Sequence, residues 1–248
     1  MSHPRRLSPP TAWLLAFLLA IGTACAQSPA EHPAAGAGSP AAAAPLKREP
    51  ANVMSWEKAD WLEREGRAES EKPERVLQIM ELKPGLTVAE IGAGTGFFSR
   101  RIAKVVGPTG KVYAEDIQPQ MLDLLKQHTA REEVGNVITV LGTETDPKLP
   151  AHSVDRILLV DVYHEFQKPE PMLAAIRDCL APGGTVTLVE YRLEGDTASH
   201  INIKHRMSVE QVLAEWTAAG FTLVRRNEEL PSQHVFIFSA RRGARAPA

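Results

Sequence analysis

The chain has 248 residues, 44% of them hydrophobic and 23% charged, which suits one globular domain with some additional sequence. Its 28 basic and 30 acidic residues leave a formal net charge of −2, a balance that argues against a nucleic-acid partner. Of the two cysteines only Cys179 falls in the region expected to fold, where it reads as a small buried apolar side chain. An internal disulfide is thereby excluded. No Cys/His cluster has zinc spacing, so no metal is expected.

In chain order, Arg5 and Arg6 precede an unbroken apolar run at residues 12–21 that is too short to cross a bilayer and suits the hydrophobic region of an export signal. Ala24-Cys25-Ala26 allows cleavage after Ala26, whereas Gly22-Thr23-Ala24-Cys25 resembles a lipoprotein box that would anchor Cys25 to a membrane. The expected location is the periplasm or the outer membrane, with a cytoplasmic chain initiated near Met54 as the alternative. Residues 27–50 are dominated by Ala, Pro, Gly and Ser without periodicity and read as a flexible linker. The folded domain is expected at 51–241, followed by a disordered tail at 242–248.

Within the domain, Val76, Leu77, Met80 and Leu82 follow Pro73 at helical spacing and predict a first helix. Strands are then expected at 87–91, 111–115, 137–141, 154–161 and 185–191, with helices between most of them, including 98–106 and 169–180. Such alternation implies a doubly wound α/β fold with a parallel sheet covered on both faces. Segments 221–225 and 235–240 are separated only by a loop containing Pro231 and should form an antiparallel hairpin. Between them and the fifth strand, Ser208 is placed to cap a helix over 208–219.

The most informative stretch is Val88-Ala-Glu-Ile-Gly-Ala-Gly-Thr-Gly-Phe97, where an apolar strand ends in an acid and then in glycines at 92, 94 and 96. Strand, glycine turn and helix are the context of a cofactor loop. A dinucleotide version would want glycine where Phe97 stands, and Glu90 would oppose a pyrophosphate. A carboxylate there suits an ammonium group. Twenty residues past Gly96, the second strand runs out into Asp116, whose carboxylate can accept both hydroxyls of a ribose. Glu115 is adjacent, and alternation along a strand keeps the two from pointing the same way. The expected ligand is a nucleoside with an amino-acid tail.

With these residues the chain resembles the class I S-adenosylmethionine-dependent methyltransferases over roughly residues 56–240. The resemblance rests on VAEIGAGTGFFS at 88–99, GKVYAEDIQPQML at 110–122, SVDRILLVDVYHEF at 153–166, LAPGGTVTLVEYR at 180–192 and HRMSVEQVLAEWTAAGF at 205–221. It implies S-adenosylmethionine as cofactor and a mostly parallel seven-stranded sheet of order 3-2-1-4-5-7-6 with the antiparallel hairpin at its end. Glu90 would hold the ammonium of the methionine part, Gly92, Ala93, Gly94 and Gly96 would wrap the cofactor, and Asp116 with Ile117 would take the ribose. Thr143 and Glu144 stand where the family contacts the adenine, and Asp161 borders the same crevice. Residues 56–67 match a segment that the family often uses as a lid, with an inward-packing helix carrying Trp61 and Leu62 as the other reading.

The fourth strand ends in Asp161-Val-Tyr-His-Glu-Phe166, a polar cluster at the edge where ligands bind in such sheets. His164, with an ordinary pKa near 6.5, is the candidate proton acceptor, and Asp161 would orient it or the substrate. His205 and Arg206 are placed to reach the acceptor. The Asn/Asp-Pro-Pro-aromatic sequence of the amino-methylating branch is absent here, which disfavours nucleobase or amide nitrogens. The expected activity is methyl transfer to a small-molecule acceptor; an exported, non-catalytic ligand-binding module with the same fold stays open as the alternative, and a nicotinamide oxidoreductase is disfavoured by Glu90 and Phe97.

Overall fold

The computed structural model describes residues 49–241. The expected export signal, Cys25, most of the linker and the tail lie outside the described residues. An eight-stranded sheet organises the domain, in the order β3-β2-β1-β4-β5-β8-β7 with β6 paired to β5 at the side. Its strands are β1 (Thr87–Ile91), β2 (Lys111–Asp116), β3 (Val137–Leu141), β4 (Val154–Val160), β5 (Leu180–Arg192), β6 (Arg206–Met207), β7 (Phe221–Asn227) and β8 (Gln233–Ala240). Strands β1 to β5 pair in parallel, and β8 runs antiparallel to both β5 and β7. The expected order is thus present, with β6 as an addition. A two-residue strand is too short to show an alternating pattern, and only pairing with Tyr191 and Arg192 makes it one.

Alternation explains why the sheet is covered on both faces. Ile91, Ile157, Leu159, Leu188, Phe236 and Phe238 turn to one side, while Val88, Leu158, Val189, Val235 and Ile237 turn to the other, all of them buried. The first face receives α5 (Pro169–Cys179) through Met172, Leu173 and Ile176, and α6 (Val209–Ala218) through Val212 and Trp216. Trp216 stacks on Phe238 at a centroid distance of 4.5 Å. The second face receives α2 (Pro73–Ile79) and α3 (Phe97–Val106), the latter through Phe98, Ile102 and Val106 at successive helical turns. Helix α4 (Pro119–Arg131) buries Met121, Leu122 and Leu125 beside β2. Ser208 caps α6 as expected, accepting from the Gln211 N–H at 3.1 Å. Cys179 is buried.

Ahead of the sheet, residues Trp56–Glu63 form a 3-10 helix, followed by the short α1 (Arg67–Glu71). The reading that packs both Trp61 and Leu62 inward fails for the tryptophan. Trp61 is 57% exposed beneath the Arg64 guanidinium, while Leu62 turns to the glycine loop. Three residues per turn separate neighbouring side chains by about 120°, so two adjacent residues do not share a face.

Candidate active site

Beyond the carboxyl ends of β1, β2 and β4 lies a cavity of about 380 Å³, the place where ligands bind in an open α/β sheet. The glycine loop forms its floor. Gly92, Gly94 and Gly96 have φ of 70°, 53° and 83°, a region that side chains disfavour. A Cβ on Gly92 would collide with Val162, and one on Gly94 would stand 2.6 Å from Leu62 Cδ1. Gly92, Ala93 and Gly94 line the cavity. Gly96 does not; it caps α3, and its hydrogen-bonded turn with Ala93 closes the loop.

Acid side chains punctuate a largely apolar wall. Glu90 is buried, lines the cavity, and accepts from the Ser99 hydroxyl. Burial pushes its carboxyl up to about 7, opposed by the Ser99 hydrogen bond and the Arg67 charge. Both Glu115 and Asp116 reach the loop, contrary to the expected alternation. Glu115 Oε2 accepts from Gly92 N at 3.3 Å and Asp116 Oδ2 from Gly94 N at 2.9 Å. Asp116 is the last residue of β2, so the pleat no longer separates it from the longer Glu115 side chain. Burial raises both carboxyls, Glu115 further because of its neighbour's charge.

Asp161 closes the wall at the end of β4, where it adopts φ 51°, an uncommon conformation for a residue with a side chain. Its Oδ2 accepts from Gln233 at 2.7 Å. Its Oδ1 and Oε1 of Glu115 are buried without a hydrogen-bond partner among the described residues. Burial, then the charges of Glu71 and Glu190, hold the Asp161 carboxyl well above its ordinary range. Ile117 lines the cavity next to Asp116, and Thr143 and Glu144 stand on its rim. The Thr143 hydroxyl is engaged in its own loop, accepting from Asp146 N at 3.1 Å, and Glu144 pairs with Lys168 at 3.3 Å.

The polar cluster after β4 opens into the same cavity. His164 is 3% exposed, and its Nδ1 lies 2.7 Å from Glu190 Oε2 on β5. The other carboxylate oxygen of Glu190 accepts from Tyr163 N at 2.8 Å and His164 N at 3.2 Å. Glu190, not Asp161, therefore orients His164. The helix α5 and most of β5 separate Glu190 from His164 in the sequence, which is why spacing favoured the nearby Asp161 as the residue that orients His164 or the substrate. On the far side, His164 Nε2 faces His205 Nδ1 at 3.0 Å. His205 is held below its ordinary pKa by burial and by His164, while burial pushes the Glu165 carboxyl up to about 7. Arg206 does not line the cavity.

A strap of residues before the sheet spans the cavity mouth. Ala51 N donates to His164 O at 3.0 Å, Met54 N to Glu165 Oε1 at 3.2 Å, and Trp56 N to Gln118 Oε1 at 2.9 Å. Further along, Glu63 accepts from Thr95 Oγ1 at 2.6 Å and pairs with Arg100 at 2.8 Å. Arg67 lies under the strap, 8% exposed, bound to Glu71 at 2.9 Å and stacked on Phe97 at 4.1 Å. Sequence reasoning passed over Arg67, Glu71 and Glu190; a charged residue within an otherwise apolar strand was the available signal for the last of them.

The acceptor-rich wall fits a ligand that brings an ammonium and hydroxyls and does not fit a pyrophosphate, which carboxylates would repel. Comparison with known proteins agrees. Residues 88–184 match a family model described as a methyltransferase domain. The chain is 31% identical over 113 residues to a protein-L-isoaspartate O-methyltransferase of Pyrococcus horikoshii, covering 46% of this chain and 48% of that protein. Over 121 residues it is 28% identical to the ubiquinone/menaquinone biosynthesis C-methyltransferase UbiE of Ectopseudomonas mendocina, covering 48% and 47%. The chain spans about half the length of the curated relatives it matches. A solved S-adenosylmethionine-dependent methyltransferase from Aquifex aeolicus superposes with a TM-score of 0.70 at 26% identity, covering 75% of this chain and 98% of that one.

Proposed function

The chain carries the class I S-adenosylmethionine-dependent methyltransferase fold, with residues 88–184 matching the methyltransferase family model, and from that premise we propose that it methylates a small molecule held beside His164, Glu165 and His205. The cofactor, when bound, supplies an electrophilic methyl group on sulfur. Glu90 would hold its ammonium and Arg67, which also lines the cavity, its carboxylate. Asp116 and the unpartnered Glu115 Oε1 would take the ribose hydroxyls. Gly92, Ala93 and Gly94 would pass beneath it, Ile117 would flank the base, and Thr143 and Glu144 would border it. The Asp161 carboxyl, with one oxygen unpartnered, faces the same space.

The observation that carries the acceptor class is that one cavity of about 380 Å³ joins the glycine loop to the His164 cluster under a hydrogen-bonded strap. A volume of that size favours a compact acceptor over a polymer. Glu190 fixes the His164 ring and, as an acceptor at Nδ1, keeps the hydrogen there, so Nε2, which faces His205 Nδ1 at 3.0 Å, is the basic nitrogen on the cavity side. His164 is thus assigned to the reaction centre and Glu190 positions it.

Calorimetry of the purified chain with S-adenosylmethionine tests the first step, and release of S-adenosylhomocysteine across a panel of small acceptors tests the second. Absence of binding at millimolar ligand refutes the reading. Binding without turnover on every acceptor favours the non-catalytic module instead. The apolar run at 12–21 behind Arg5 and Arg6 supports export of the chain, and mass spectrometry of the mature protein tests it through a lipid adduct on Cys25 or a new N-terminus at Gln27.

A further inference from the structure

Two imidazoles and a carboxylate converge at the acceptor end of the cavity from segments far apart in the chain. His164 and Glu165 belong to the 3-10 turn Tyr163–Glu165 after β4, and His205 ends the turn Ile203–His205 before β6. One ligand atom of each lies within 4.8 Å of the other two. The facing nitrogens, His164 Nε2 and His205 Nδ1, are 3.0 Å apart. Two nitrogens bound to one first-row ion at about 2.1 Å and at a right angle would stand roughly 3 Å apart.

Three further features set this trio apart from a pair of hydrogen-bonded histidines. The buried Glu190 carboxylate accepts from His164 Nδ1, the arrangement found behind ligating imidazoles, where it fixes the tautomer and leaves Nε2 basic. The two rings are close to perpendicular, at 81°, so they meet edge to face and their ring planes do not stack. All three side chains line the cavity, so coordination positions not filled by protein would open onto it. Three protein ligands with open positions is the pattern of a catalytic rather than a structural ion.

We propose that His164 Nε2, His205 Nδ1 and the Glu165 carboxylate bind a divalent first-row transition-metal ion whose open positions receive an oxygen of the methyl acceptor. Two imidazoles with one carboxylate select zinc, cobalt, manganese or iron over magnesium and calcium, which favour all-oxygen sites. Coordination of the acceptor oxygen draws electron density from it and makes its proton easier to lose to solvent water, since with the ion bound the His164 Nε2 lone pair is spent on the metal and His164 acts as a ligand. The acceptor half of this inference rests on the proposed methyltransferase function; metal binding does not.

The experiment titrates the full chain, freed of metal by chelation, with cobalt(II) chloride, reading the visible d–d bands of the bound ion, and in parallel with S-adenosylmethionine by calorimetry. One equivalent of cobalt should bind with visible bands and be displaced by zinc. His205→Ala should weaken cobalt binding by more than the roughly 10- to 100-fold typical of losing an outer partner, the loss expected for Glu190→Gln. Glu165→Gln, a smaller change, should also weaken cobalt while S-adenosylmethionine still binds. Wild-type chain that binds S-adenosylmethionine but gives no cobalt bands, or bands that survive unchanged in both His205→Ala and Glu165→Gln, overturns the metal site. Cobalt binding without S-adenosylmethionine binding leaves the metal site standing and removes the cofactor reading instead.

Discussion

His164 Nδ1 stands 2.7 Å from Glu190 Oε2, both side chains shut away from solvent, so that the adjacent strand β5 holds the imidazole that the end of β4 presents to the cavity. The same carboxylate gathers the Tyr163 and His164 backbone N–H groups. One side chain thus shapes the turn and sets the tautomer.

Glu190→Gln separates these two duties. A glutamine oxygen can still accept both backbone N–H groups, whereas its NH₂ would face His164 Nδ1 and favour the tautomer with hydrogen on Nε2. The fold should survive with a loss of about 1 to 3 kcal/mol in unfolding free energy. Nitrogen-15 NMR of the His164 ring should report the reversed tautomer, and S-adenosylmethionine affinity should change little. An unchanged tautomer in a folded variant would refute the positioning role.

Glu90→Gln should act with opposite signs on stability and on binding. The Glu90 carboxyl, at about 7 in the ligand-free fold against an ordinary 4.5, keeps a proton that the unfolded chain has already released. Its contribution therefore falls as pH rises from about 4.5 to about 7 and stays low above that. At pH 8 the substitution should raise the unfolding free energy of the ligand-free chain, by at most about 3 kcal/mol. It should also weaken S-adenosylmethionine by about 1.5 to 3 kcal/mol through the lost charged hydrogen bond. Wild-type affinity should rise with pH through about 7, the glutamine variant losing that dependence. Thermal melts and calorimetry at pH 5 and pH 8 check both halves.

Gly94→Ala should disable ligand binding more than folding. Its φ of 53° costs an alanine on the order of 1 kcal/mol, and Leu62 on the strap can shift to relieve the contact. A methyl in the floor of the cavity has no such relief once a ligand lies over it. The expected result is a modest fall in melting temperature with loss of S-adenosylmethionine binding; retained affinity would show that the loop does not lie beneath the cofactor.

Arg67→Met should be severe, because it takes from Glu71, buried at 4% exposure, the more buried of its two arginine partners. Removing one partner of a buried pair typically costs about 3 to 5 kcal/mol. The double variant Arg67→Met/Glu71→Met should recover most of that stability, and denaturant unfolding of the three chains measures the coupling. Arg64, which also reaches Glu71 at 2.8 Å, limits the loss in the single variant. Equal stability of the single and double variants would show that the ion pair is not what Arg67 contributes.

Sequence alone determined the strands, the cofactor loop and the acid after it, because those are local facts, while the order of the strands came only with the family resemblance. Strands buried on both faces carry continuous apolar runs, and the glycines of the turn follow Glu90 within a few positions. It also placed His164 and Asp161 at the correct edge, since the ends of successive strands in a doubly wound sheet share one crevice. What it left open was which side chains meet. Glu190 and His164 are 26 residues apart and His164 and His205 are 41 apart, so their approach depends on β4 and β5 lying side by side and on β6 pairing back onto β5. The exposed Trp61, the paired reach of Glu115 and Asp116, and the ion pair of Arg67 with Glu71 were likewise settled by packing. Periodicity states which face of an element is apolar; only the packed tertiary structure decides which polar groups share a cavity and where each hydrogen lies.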